Sequence, residues 1–381
     1  MTVRRARPKP AATLSCRKED ALARKPPRQP RSRSNAQPPA RAGASKNARP
    51  TKKREESPLT TDKEIAPDTF RVAPKGEKNV TGRWPVMLET TGWADYELLD
   101  MGDGEKLERY GPHVIRRPEA QAMGARRLAA THWEQADATF TGDIEEEGPG
   151  RWRFKRELPE TWQMRVGAAR FNGRFMSFRH VGVFPEQIAH WEWTEARIRE
   201  ASRREASRPP KVLNLFGYTG LASLLAAHAG AEVTHVDASK KAIGWARENQ
   251  ALSGMDDLPI RWICDDAMKF IAREARRGNT YDGIVLDPPK YGRGPKGEVW
   301  DLFRDLPAML DLVRSVMAKE ASFVILSIYA IRASFLSNHE LMMDVMHDLP
   351  GTVESGELVI RETGIGERAL STSLFSRWSA E

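Results

Sequence analysis

Cysteine is nearly absent: Cys16 and Cys264 are the only two in 381 residues, and they stand far apart. Neither a disulfide framework nor a cysteine-based zinc site can be built from them, and a reducing cytosol is the expected compartment. Long apolar runs are missing too. No segment approaches the roughly 18 residues that a membrane helix needs, and the N-terminus lacks the apolar core of a secretory signal. A cytoplasmic protein without membrane contact is expected. The eight histidines show no metal-ligand spacing, so no catalytic metal is expected. Acidic residues are nearly missing from one stretch alone: residues 1–54 hold 17 Lys and Arg against Glu19 and Asp20, a local charge of +15. The whole chain stands at +8, so the remainder sums to −7. The basicity therefore argues that the tail meets something anionic, RNA foremost, and says nothing of the folded part.

Three segments follow from texture. Residues 1–75 are Pro, Ala, Arg and Ser with almost no aromatics, a composition too poor in apolar surface to offset chain entropy, and a disordered basic tail is expected. A phosphate-binding arm and a plain solvated extension are its two main readings, and an organelle transit peptide is a third, weakened by the Pro content. Residues 76–205 hold seven of the eleven tryptophans among short Gly-bounded segments. Tyr96–Asp100, Arg151–Lys155 and Arg174–Phe178 alternate apolar with polar, as half-buried antiparallel strands do, and a small β-rich domain for substrate recognition is expected. Its tryptophans read mainly as core, with a base-stacking platform as the alternative.

After a polar helical stretch at Thr194–Arg208 and the Pro209-Pro210 break, strand and helix patterns alternate through residues 206–381. Strands are expected at Lys211–Phe216, Glu232–Asp237, Pro259–Cys264, Tyr281–Asp287, Ala321–Tyr329, Val353–Ile360 and Leu370–Trp378. Helices are expected at Gly220–Ala229, Lys240–Leu252, Ala267–Arg276, Leu302–Ala318 and Ala333–Asp348. This is the pattern of an α/β, doubly wound, seven-stranded Rossmann-like domain that binds ligands at the C-terminal strand edges. The last two strands lack an intervening helix and suggest an antiparallel hairpin at one edge.

Chemistry concentrates at successive strand ends. The first strand runs through Asn214-Leu-Phe-Gly217-Tyr-Thr-Gly220 into a helix, a Gly-rich turn whose spacing is neither the dinucleotide fingerprint nor a phosphate loop. Tight strand–helix packing is the other use of such glycines. The second strand ends at Asp237-Ala238, where a carboxylate can accept both hydroxyls of a ribose. The third ends at Cys264-Asp265-Asp266-Ala267, where an acid can accept from an adenine amino group. Asp266 is preferred over Asp265 for that contact, and a cap on the following helix is the competing role for either. Gly turn, acid and acid in order point to a nucleoside cofactor.

The fourth strand runs into Asp287-Pro288-Pro289-Lys290-Tyr291, and here the chain resembles the class I S-adenosylmethionine-dependent methyltransferases. Asn214–Gly220, Asp237, Asp265-Asp266 and Asp287–Lys290 look like motifs I to IV of that superfamily. Tyr96–Gly111 and Arg179–Gln187 add similarity to bacterial large-subunit rRNA methyltransferases that act on cytosine carbon 5 or guanine nitrogen 7. The resemblance covers about residues 90–381. It implies S-adenosyl-L-methionine as cofactor, with Asn214, Phe216, Gly217, Tyr218 and Gly220 along its methionine portion, Asp237 on the ribose and Asp266 on the adenine. It further implies that the Phe184–Gln187 loop closes over the cofactor and that Asp287 sits where the methyl group leaves. Motif I often begins with an acid, whereas this chain has Asn214, whose amide oxygen can still accept a hydrogen bond.

The receiving atom can be argued from chemistry. Carbon 5 of cytosine is a poor nucleophile until a thiolate adds at carbon 6, which requires a cysteine at the transfer edge. The fourth- and fifth-strand loops have none, Cys16 is in the tail, and Cys264 lies on the adenine side, so carbon-5 methylation is rejected. Nitrogen 7 of guanine has an exposed lone pair, and positioning suffices. An exocyclic amine is a second candidate, with Asp287 and the Pro288 carbonyl accepting its hydrogens. Tyr291 is expected to stack on the target base, with a packing role under the loop as its alternative. Lys290, Arg293 and Lys296 are expected at phosphates or base edges, and Tyr329 in the same pocket. The expected protein is thus a base-nitrogen methyltransferase, guanine favoured, acting on large-subunit rRNA. A methyltransferase for proteins or small molecules, and a non-catalytic RNA-binding or cofactor-sensing module, are the rivals.

Overall fold

The computed structural model describes residues 79–90, 92–142, 150–204, 207–320, 323–329, 333–364 and 366–380. The basic tail and Cys16 lie outside the described residues.

An eight-stranded sheet organises the chain. Its members are β1 (Val80–Thr90), β9 (Lys211–Leu215), β10 (Glu232–Asp237), β11 (Ile260–Cys264), β12 (Gly283–Leu286), β15 (Phe323–Tyr329), β16 (Gly351–Arg361) and β17 (Ala369–Ser379), in the order β1-β16-β17-β15-β12-β9-β10-β11. From β15 to β11 the strands are parallel, and β17 runs antiparallel to both β15 and β16. Chain order runs β9-β10-β11 one way and β12-β15 the other, so the sheet reverses between β9 and β12, where doubly wound sheets bind ligands. The seven strands expected from sequence are all present. The eighth is β1, which pairs in parallel with β16 and displaces the β16–β17 hairpin from the sheet edge that the sequence pattern suggested.

Helices α2 (Ile188–Arg204), α3 (Leu221–His228), α4 (Lys240–Leu252), α5 (Ala267–Arg277), α6 (Leu302–Ser315) and α7 (Phe335–Val345) follow α1 (Ala130–Glu134). Side chains on a strand alternate between faces. Leu213 and Leu215 of β9 thus join a core with Phe270, Met309 and Met342 from α5, α6 and α7, while Val212 joins another with Ile198 of α2 and Ala226 of α3. Both faces of the sheet are covered. Ser239, Asp266, Asp301 and Ser334 cap α4 to α7, each side chain accepting a backbone N–H of the first turn.

The β-rich part comprises β2 (Tyr96–Gly102), β3 (Glu105–Tyr110), β4 (His113–Pro118), β5 (Ala138–Thr141) and β6 (Arg151–Phe154) in one sheet, and the hairpin β7 (Thr161–Val166) and β8 (Ala169–Arg174) in another. The strand expected at Arg174–Phe178 is absent. Its alternation instead reflects Phe175, which packs among Trp162, Trp152 and Phe154 with ring centroids 4.7, 4.9 and 5.0 Å away. Of the seven tryptophans, Trp133 and Trp162 are buried in the core, Trp93, Trp152, Trp191 and Trp193 are half-buried, and Trp84 is exposed. Hairpin β7–β8 seats on α4, where Trp245 Nε1 donates to the Asn172 carbonyl (3.0 Å) and the Asn172 N–H to Asn249 Oδ1 (3.1 Å).

One buried ion cluster joins the β-rich sheet to the β16–β17 end of the large one. Arg368 Nη2 donates to Asp100 Oδ1 (2.9 Å) and Glu362 Oε1 (2.6 Å), and both carboxylates are buried. Asp100 also accepts from the Leu128 N–H and Trp133 Nε1, each at 2.9 Å. Removing the cation would leave buried negative charge uncompensated. Arg368→Met is therefore expected to lower stability by about 3–5 kcal/mol in urea unfolding. A loss below about 1 kcal/mol would show that the cluster is not what joins the two sheets.

Candidate functional site

The turn after β9 is shaped by backbone that ordinary residues avoid. Phe216 (φ 58°), Tyr218 (φ 51°) and Gly220 (φ 83°) all lie in the left-handed region just before α3. Two side-chain-bearing residues held there cost about 1–3 kcal/mol each, so something must fix them. For Tyr218, Asp237 does so: its Oδ2 accepts the Tyr218 N–H (2.9 Å), and its Oδ1 accepts the Ser239 N–H (2.7 Å). Burial pushes the Asp237 carboxyl up, and the N–H groups of Ser239 and Tyr218 only partly offset this. The glycines serve packing. A Cβ at Gly217 would come within 2.3 Å of the His235 ring, and one at Gly220 within 2.8 Å of Ala246 and Trp262.

Beneath the turn runs a directed hydrogen-bond chain. Asn214 Nδ2 donates to Ser223 Oγ (2.9 Å), which leaves the Ser223 hydroxyl proton for His235 Nδ1 (3.0 Å). His235 is then neutral with its proton on Nε2, an atom with no hydrogen-bond partner. Burial holds its pKa down at about 3. Asn214 is buried and lines the cleft above, and its amide nitrogen is committed to Ser223.

At the neighbouring end of β12 stands Asp287. Gln187 Nε2 donates to Asp287 Oδ2 (3.3 Å), and Ser327 Oγ on β15 donates to Gln187 Oε1 (3.1 Å). Pro288 is buried, while the Pro289 carbonyl accepts from Trp300 Nε1 (2.7 Å), whose ring packs on Phe216 at 5.1 Å. Trp300 belongs to a small hairpin of β13 (Tyr291–Arg293) and β14 (Val299–Asp301). Tyr291 pairs with Asp301 and Gly292 with Trp300, so Trp300 fills the inner face while Tyr291, 64% exposed, stands on the outer one. A packing role for Tyr291 under the loop is thereby excluded. Lys290 Nζ lies 5.5 Å from the Tyr291 ring centroid, and Arg293 and Lys296 are exposed. Tyr329 closes an aromatic group with Phe184 (5.3 Å) and His180 (5.4 Å), and burial pushes its hydroxyl up to about 12.

Of the residues singled out by sequence, Phe184, Gln187, Asn214, Phe216, Gly217, Tyr218 and Asp287 line one small open cleft at the β9–β12 reversal. Asp237 supports its floor through Tyr218. Ala238, Asp265, Asp266 and Ala267 follow at the ends of β10 and β11, outside that lining. There the capping role holds: Asp266 Oδ1 accepts the Lys269 N–H (2.9 Å), and Asp265 pairs with Arg273. Cys264 ends β11, separated from β12 by β9 and β10, about 14 Å at the usual strand spacing. Sequence reasoning missed Trp191 and Thr219 in the cleft wall, Ser327, and the Ser223–His235 pair. Ser327 was visible only as a polar residue in an apolar strand.

Apolar Phe184, Phe216 and Trp191 form walls of the cleft, and the Asp287 carboxylate lines it. No family model matches the chain. The crystal structure of a SAM-dependent methyltransferase from Agrobacterium tumefaciens is 56% identical, with a TM-score of 0.76, over 81% of this chain and 97% of that one. Ribosomal RNA large subunit methyltransferase K/L of Desulfotalea psychrophila is 32% identical over 169 residues, 44% of this chain. Methyltransferase I of Shewanella denitrificans is 44% identical over 81 residues, 21% of this chain. The chain matches only 22% and 20% of the lengths of these two relatives.

Asp237→Ala is expected to weaken binding of S-adenosylhomocysteine at least tenfold by calorimetry, about 1.4 kcal/mol or more. Unchanged affinity would remove Asp237 from the cofactor site. A second expectation concerns acid. His235 and His190 are both held at about 3 by burial, with Arg377 adding to the effect on His190, against an ordinary 6.5. Above pH 6.5 both are neutral whether folded or not. Below it the unfolded chain protonates both imidazoles, which the fold keeps neutral, so these two histidines lower stability as the pH falls from 6 to 5. His235→Asn should make stability less dependent on pH over that range in urea titrations, whereas an unchanged dependence would contradict the neutral buried imidazole.

Proposed function

The chain belongs to the S-adenosylmethionine-dependent methyltransferase family, and from that premise we propose that it methylates a base nitrogen of large-subunit rRNA, guanine favoured, without a cysteine nucleophile. Bound S-adenosylmethionine supplies a methyl group already activated on a sulfonium, so alignment and exclusion of water are what the protein must add. Asp237, with Ala238 beside it, receives the ribose. Asp266 Oδ2, on the side toward Gly294, is the adenine contact beside Ala267, with Asp265 held back by Arg273. Asn214 and the Phe216–Gly220 turn hold the methionine portion, and Phe184 covers it. Asp287 and Pro288 border the receiving atom.

The observation that carries the nitrogen reading is the separation of Cys264 from Asp287: three strand spacings speak against Cys264 as a thiolate for carbon 5. Support for RNA comes from the outer face of the β13–β14 hairpin, where Tyr291 offers a stacking surface and Lys290 and Arg293 offer charge beside the cleft. The β-rich residues 76–205 present the RNA, the basic residues 1–54 add sequence-independent phosphate attraction, and a cytoplasmic location follows from such a substrate.

The test is transfer of labelled methyl to rRNA from a deletion strain, with nucleosides identified by mass spectrometry. A methylguanosine labelled by the wild-type chain and reduced at least 100-fold by Asp287→Ala, at S-adenosylhomocysteine affinity within threefold, is expected. Label in 5-methylcytidine, or in protein alone, would overturn the proposal.

A further inference from the structure

The turn Pro185–Gln187 is a single 3₁₀ turn, yet three strands of the large sheet hold its three successive residues. Thr90 Oγ1 at the end of β1 donates to the Pro185 carbonyl (2.9 Å). Ser373 Oγ on β17 donates to Glu186 Oε1 (3.2 Å), and Ser327 Oγ on β15 donates to Gln187 Oε1 (3.1 Å). All three turn residues are buried. The segment leading in is tied down as well, because Arg117 Nη1 on β4 donates to the Arg179 carbonyl (2.9 Å) and Thr219 Oγ1 donates to the Gly182 carbonyl (2.7 Å). A loop that opened and closed over a cofactor would have to break this set.

The bracket fixes more than a backbone. A primary amide has a donor end and an acceptor end, and a hydroxyl donating to the oxygen decides which end faces where. With Ser327 on Oε1, the NH₂ end of Gln187 is turned to Asp287 Oδ2 at 3.3 Å. The flipped amide would set its oxygen against a carboxylate oxygen, which is repulsive. We infer that Gln187, oriented by Ser327 and carried on the Pro185–Gln187 turn, is a positioning residue that aims the Asp287 carboxylate at the methyl-transfer end of the cleft. Its action on transfer rests on the proposed function, while its hold on Asp287 does not.

The experiment combines crystallography of the full chain with kinetics. In Gln187→Ala and the shape-preserving Gln187→Met, the Asp287 carboxylate is expected to leave its single orientation and occupy more than one rotamer. Methyl transfer to rRNA should fall 10- to 100-fold in kcat, while S-adenosylhomocysteine affinity and KM for RNA stay within threefold. Ser327→Ala should show the same split in milder form, and Ser327→Thr, which restores the hydroxyl, should recover most of the loss. An Asp287 carboxylate unmoved in both Gln187 variants overturns the inference. So does a loss of S-adenosylhomocysteine affinity that matches the loss of transfer, because Gln187 is then a cofactor contact. If wild-type protein transfers no methyl to any RNA, the substrate reading fails alone, and the rotamers of Asp287 still decide the positioning role.

Discussion

The parallel register of β9 against β12 is the constraint on which the site depends. Asn214 pairs with Val285 and Leu215 with Leu286, so the next residues, Phe216 and Asp287, leave the sheet side by side. Because the strand order reverses between these two strands, their following segments part to opposite sides and open a cleft between them. One chain segment then supplies the Asn214–Gly220 turn and the other the Asp287–Lys290 corner. No helix has to be inserted to make the opening.

Holding that opening in shape requires buried polar groups, most of them matched by a partner, although His235 Nε2 has none. The Asp237 carboxylate takes the N–H of Tyr218, one of the two side-chain-bearing residues with positive φ in the turn, and the N–H of Ser239. Below the turn, the Asn214–Ser223–His235 chain runs in one direction only, so the amide, hydroxyl and imidazole each have a defined orientation. Above it, the Pro185–Gln187 turn is bonded to β1, β17 and β15. The eighth strand thus has a use beyond extending the sheet: through Thr90 it reaches the cleft roof. Low local dielectric makes matched polar networks rigid and unmatched groups costly.

Much of this was legible in the sequence because the β/α alternation has a short period and clear stops. Strand β10 and helix α4 fall on the residues that their patterns mark, and the turn after β9 and Asp287 line the cleft. What escaped was set by long-range pairing. Strand β1 has a weak pattern of its own and becomes a strand only against β16, some 270 residues away. Phe175 mimicked a strand because it fills an aromatic core, and Ser327 hid in an apolar strand although it orients Gln187. Asp266 reads equally as a ligand contact and a helix cap, and its Oδ1 does cap α5. Periodicity reports local structure, whereas the roles of these residues come from partners that only the folded sheet brings near.

The most direct test of the account is a crystal structure with sinefungin, whose amine replaces the methylsulfonium centre of S-adenosylmethionine. The account predicts that its ribose hydroxyls meet Asp237 and that its amine lies within hydrogen-bond reach of the Asp287–Pro288 corner, with Gln187 still bonded to Asp287 and Ser327. Binding outside the β9–β12 cleft, or an amine directed away from Asp287, would contradict it.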